Sequence, residues 1–271
     1  VSGVMDMSTV GNSRQRVNNG LTVNGTVNIN QNGILGFEGT STLAGSGSIV
    51  LGSTGGGNRI DLDGNGTTTF AAGVTVRGHS GTIGQQLNIG GTQTLVNNGS
   101  IIADGAGGTI SFTESALVNN GLVRAQAGTV NVGVALSGSG TLQVDSAGTM
   151  NLANGAKTQG TLVMGAAGAA LNLGTGNLTI NSDYTNAGAG SGNAFNRRAG
   201  VAGGGQIVAG GDVKQVITGA GVSNGNTDNA TLTIGNMRVG ANTFNYQIGN
   251  SGSTGPTLRG AVQTAANGGN I

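Results

Sequence analysis

Few residues of this chain can do chemistry, and the densest group is Asp61-Leu62-Asp63-Gly64-Asn65-Gly66. Asp61, Asp63 and Asn65 match the opening Asp-x-Asp-x-Asn-Gly of a calcium loop, where oxygen ligands at alternate positions converge on a hard cation. The closing bidentate Glu is missing, since that position is Ala72, and Asp-Gly and Asn-Gly are also plain turn formers. Calcium at these three residues is one expectation; a tight turn is the other. Acid–base catalysis needs a titratable group beside a partner. The single histidine, His79 in Arg77-Gly78-His79-Ser80, reads as a solvent-facing turn residue. With no Cys, thiolate zinc sites and cysteine nucleophiles are excluded. The other carboxylates, among them Asp104, Glu114, Asp145 and Asp183, are scattered. Phe37, Phe70 and Phe112 lie on alternating runs and read as core fillers. A sugar-cleaving groove needs clustered carboxylates and exposed aromatics. The expectation is therefore a protein that is not an enzyme, with no catalytic residues and no cofactor apart from calcium. A carbohydrate-binding or carbohydrate-cleaving β-helix is the alternative.

The elements that must hold these residues are announced by a repeat. Leu95-Val96-Asn97-Asn98-Gly99 returns as Leu117-Val118-Asn119-Asn120-Gly121, an offset of 22 residues, the span of one coil in a solenoid of short strands. Asn-Asn-Gly reads as a corner that uses left-handed backbone conformations. One coil cannot bury its own apolar side, but stacked copies can. The spacing predicts Leu95 over Leu117 and Val96 over Val118 as buried stacks. It also predicts a corner ladder of Asn97, Asn98 and Gly99 against Asn119, Asn120 and Gly121, with Asn98 hydrogen-bonded over Asn120. The same corner occurs at Val17-Asn18-Asn19-Gly20, where the repeats are expected to begin. Arg14 and Arg16 before it read as a leader or the tail of a preceding coil. Spacing between coils drifts by a few residues, which argues against a lattice-matched ice-binding face at Thr67-Thr68-Thr69 or Thr92-Gln93-Thr94.

Composition agrees. Of 271 residues 57 are Gly, 8% are charged and 3% aromatic, which fits a β-rich fold with frequent turns and fits neither collagen nor ordinary disorder. A net charge of +1 gives no electrostatic capture of nucleic acid. No apolar run is long enough to span a bilayer. Because Val1 is not an initiator Met, the sequence is expected to begin inside a longer precursor.

The expected architecture is all-β. A β-solenoid of roughly eight coils covers 1–180, of which the right-handed form is the commoner option. A Gly-rich cap or linker covers 181–205, and four short runs over 206–271 are spaced like a β-sandwich. Here a resemblance enters. Leu232-Thr233-Ile234-Gly235-Asn236-Met237-Arg238-Val239-Gly240 followed by Tyr246-Gln247-Ile248-Gly249-Asn250-Ser251-Gly252 resembles the immunoglobulin-like choice-of-anchor D modules of large bacterial surface proteins. Gly255–Thr264 fits the next part of those modules, and Tyr184–Asn196 is similar to the segment that precedes them. The resemblance covers about the last third of the chain and implies a partial Ig-like sandwich on an extracellular bacterial protein. The earlier part resembles, in general style, the β-helical passengers of secreted adhesins. Together these imply an extracellular structural or adhesive protein of the cell surface or matrix. Its partners would be copies of itself, joined head to tail by strand addition, or surface glycans, and neither nucleic acid nor a membrane span is expected.

Overall fold

Runs such as Thr129–Val132 alternate half-buried and buried side chains, so each presents one apolar edge and needs neighbours on both sides to cover it. The computed structural model supplies them by winding the chain into a β-solenoid. It describes residues 1–182 apart from 55, 87–88, 153–154, 166–168 and 174–177, and beyond these the strand backbones 184–186, 194–196, 207–209, 213–215, 232–234 and 245–246. The cap at 181–205 and the Ig-like module at 206–271 thus lie, apart from those short strands, outside the described residues.

Each turn contributes three strands, one to each of three faces, and every strand pairs in parallel with the equivalent strands of adjacent turns. Face-one strands begin at Val4, Thr26, Ser48, Thr75, Ser100, Leu122, Thr141 and Thr161. Eight rungs therefore precede Ile180, a stack about 35 Å high at ~4.8 Å per rung. The intervals of 22, 22, 27, 25, 22, 19 and 20 residues change at corners, while the strands stay in register. The first rung starts at Val4, and Arg14–Asn18 is its face-two strand. Arg14 and Arg16 are thus part of the solenoid itself, not a leader before it.

Register stacks like on like. Val27, Ile49, Val76, Ile101, Val123, Leu142 and Leu162 form one inward column, all fully buried. Burying each such side chain stabilises by about 1.5–3 kcal/mol. Phe37, Phe70 and Phe112 are buried as expected, and the first two pack at 6.5 Å between ring centroids.

At the repeated corner the register is as expected, but one side-chain direction is not. Leu95 lies over Leu117 and Val96 over Val118. The leucines are fully buried, whereas both valines are half-exposed on the outer surface. Strand alternation decides this: with Leu95 inward, Val96 must point out and Asn97 in. The corner glycines are also used differently from expectation. Gly99 and Gly121 do not have positive φ. A Cβ on Gly121 would come 2.1 Å from the Gly99 carbonyl oxygen, and one on Gly140 2.3 Å from that of Gly121. These positions are glycine because the rung below passes too close for a side chain.

The face-three ladder breaks once, between Ala135–Ser137 of rung six and Lys157–Gln159 of rung seven. Two long side chains close the seam. Gln159 Nε2 donates to the carbonyls of Ser137 (3.1 Å), Gly138 (3.0 Å) and Asn119 (3.1 Å), and Lys157 Nζ donates to Val134 O at 2.9 Å.

Gly121→Ala should destabilise the chain by at least ~1–3 kcal/mol in urea unfolding. Gly56→Ala, where an added Cβ meets nothing within 4 Å, should be near neutral. Equal effects would contradict the close-approach account.

Candidate functional site

Charge is scarce, so its distribution is informative. Asp6, Arg77, Asp104, Glu114, Arg124, Asp145 and Lys157 are spread over the described solenoid, while Arg14, Arg16, Glu38, Arg59, Asp61 and Asp63 gather on the outer side of face two in rungs one to three. Register makes them neighbours. Arg16 lies beside Gly36, Gly36 beside Asp61, and Glu38 beside Asp63. Arg16 pairs with Glu38 and Arg59 with Asp61, each at 2.9 Å.

Asp61 and Asp63 alternate with the inward Ile60 and Leu62, so they face outward, yet they are only 0% and 2% exposed. Beside them runs the long corner of rung four. Leu62 N–H donates to Gln85 O (3.2 Å) and Gly64 N–H to Ile89 O (2.8 Å). Burial pushes the Asp61 carboxyl up to about 6, with Arg59 pulling the other way and Asp63 adding to the rise. A hollow of about 180 Å³ opens here, lined by Arg14, Gln15, Arg16, Ile34, Gly36, Asp61 and Asp63.

Of the three calcium candidates, Asp61 and Asp63 share the strand Arg59–Asp63. Asn65 sits exposed at the next corner, after Gly64 at φ +76°, and its Oδ1 accepts Thr92 N–H at 2.7 Å. The Asp-x-Asp run is extended strand and does not wind around a centre. Among the described residues no group of three or more His, Asp or Glu is placed to hold a metal. His79 is half-buried, with Nδ1 2.8 Å from Ser80 Oγ, and that hydroxyl accepts Thr109 N–H at 3.2 Å. Sequence reasoning passed over Arg14, Arg16, Glu38 and Arg59 in this cluster. The signal available was rarity itself, six charges within 50 residues of a chain that is 8% charged.

The corner residues form two ladders. On the outside, Asn120 Nδ2 donates to Asn98 Oδ1 at 3.2 Å. On the inside, Asn97 Nδ2 donates to Asn119 Oδ1 at 2.8 Å, and Asn119 Nδ2 to Gln159 Oε1 at 2.6 Å. Gly138 has no side chain to offer this inner ladder, so Gln159 reaches past its rung. A third ladder, on face two, runs from Ser111 through Asn131 and Asn151 to Asn172. Such amide columns fix register, because a slip of one residue leaves buried amides unpaired.

Glu114 is buried at the corner between faces two and three. Its carboxylate accepts Thr113 N–H at 3.1 Å, while Oε1 has no partner among the described residues. Burial holds its carboxyl up near 8 against these backbone bonds.

Comparisons with family models, with curated proteins and with solved structures found no match.

Two outcomes follow. Gln159→Leu leaves the inner Asn119 amide and the seam carbonyls without their partner, and should cost about 1–3 kcal/mol; an unchanged urea midpoint would contradict the seam. The native state keeps the Glu114 proton until about pH 8, whereas the unfolded chain releases it near 4.5. Native protein therefore binds more protons in that window, and stability falls as pH rises through it. Thermal melts from pH 5 to 9 should show this fall, and Glu114→Gln should flatten it. Equal slopes in the two proteins would contradict the assignment.

Proposed function

We propose that this chain is an extracellular structural or adhesive protein of a bacterial surface or matrix, a stiff β-rod whose copies join head to tail. The observation that carries the reading is the unbroken inward stacking of eight rungs, reinforced by side-chain ladders parallel to the rod axis. That arrangement spends sequence on stiffness and register: charge is excluded from the columns, and each turn repeats the contacts of the last. The likeness of 232–264 to choice-of-anchor D modules favours the same location.

Joining uses strand edges. In this chain Val4–Met7, Arg14–Asn18 and Leu21–Thr22 stand at the ends of their sheets, and a strand edge pairs readily with an added strand from another molecule.

Electron micrographs of purified chain should show filaments one rod wide that lengthen with protein concentration. Monodisperse short rods at every concentration would contradict head-to-tail joining. Limited proteolysis tests the rod itself: the segment up to about residue 180 should survive trypsin, and early cleavage after Arg77 or Arg124 would contradict it.

A further inference from the structure

The cluster on face two has no part in stiffening the rod, and its geometry suits a small ligand. Arg14 and Arg16 stand on rung one, Asp61 and Asp63 on rung three, and between them rung two offers Gly36, which fills none of the gap. Two rungs separate the basic from the acidic side by about 9–10 Å. The resulting hollow of about 180 Å³ has room for about six waters at ~30 Å³ each, the bulk of a single sugar ring. Ile34 supplies an apolar patch on its wall.

What the site leaves unsatisfied points to the ligand's chemistry. Asp61, with 1% of its side chain exposed, lines the hollow, and its Oδ1 has no hydrogen-bond partner among the described residues. Beside it Arg59 Nε is likewise buried without a partner. The charges, by contrast, are compensated within the protein: Arg59 is paired to Asp61 Oδ2 and Arg16 to Glu38. Spare hydrogen-bonding capacity remains, one acceptor and one donor, but little spare charge. A divalent cation would have to compete with the Arg59 guanidinium 2.9 Å from Asp61. A hydroxyl group, which donates and accepts at once, meets both orphan atoms, and mixed donors and acceptors around a partly apolar hollow suit several hydroxyls on one ring.

We infer that the face-two hollow over Gly36 is a binding site for a neutral sugar, with Asp61 Oδ1 accepting from a ring hydroxyl and Arg14 and Gln15 closing the opposite wall. The site stands independently of head-to-tail joining, and a rod that never polymerises would still carry it.

The test is calorimetric titration of the full chain with glucose, galactose, mannose, N-acetylglucosamine and their β-linked dimers, and separately with calcium chloride. At least one sugar should bind in the millimolar range or tighter. Gly36→Val should weaken that binding at least tenfold. An added Cβ there makes only ordinary contacts, 3.8 Å to Gln15 O and 3.9 Å to Asp61 Cβ, so this variant keeps its fold while filling the hollow. Asp61→Asn should also weaken binding, and Arg77→Gln, on face one, should not. Absence of binding by every sugar would overturn the inference. Binding that survives Gly36→Val, or Asp61-dependent binding of calcium without sugar, would overturn it equally.

Discussion

Everything in this molecule follows from the ~4.8 Å step between parallel strands. At that spacing the residue above and the residue below each position are its nearest neighbours, so a side chain is chosen to suit near copies of itself. Apolar residues gain from this rule, as the column from Val27 to Leu162 shows. Amides gain too, because each Asn can donate to the next and accept from the last, as Asn151 does between Asn131 and Asn172. At corners where the rungs come closest, the rule admits no side chain at all, hence Gly121 over Gly99.

Like charges directly stacked on a sheet repel, so the same rule explains why the chain is poor in charge. Where charges occur they are offset into pairs between rungs. Arg77 meets Asp104 at the corner that follows the next face-one strand, and Arg124 meets Asp145 in the same way. The six charged residues over the first three rungs of face two go beyond that economy. They bury two carboxylates on an outer surface, at a desolvation cost visible in the raised Asp61 carboxyl, and they surround a hollow. A rod built only for stiffness has no use for them, which is why this place is assigned a ligand.

The solenoid was legible because Asn-Asn-Gly recurs with leucine two residues before it, so that Leu95/Leu117 and Asn98/Asn120 could be paired directly from spacing. The direction of Val96 was misjudged because apolarity was weighed above alternation, although Leu95 already set the parity that sends Asn97 inward. The inner ladder ending at Gln159 was beyond sequence reasoning: Gln159 lies 40 residues from Asn119, and it reaches across because Gly138 left a gap in three dimensions. The charged cluster escaped for a related reason. Arg14 and Asp61 become near neighbours only through turns of unequal length, one of 22 residues and one of 27 between successive face-one strands.

The central claim is the register itself, and a pair of cysteines reads it most directly in a chain that has none of its own. Asn98→Cys with Asn120→Cys places two thiols on adjacent rungs, with Cα atoms at about the spacing a disulfide accepts. Asn98→Cys with Ser139→Cys places them two rungs apart, about 9–10 Å. Under mild oxidation the first pair should cross-link within one molecule and the second should not. Equal cross-linking in both, or none in the first, would contradict the stacking on which the account is built.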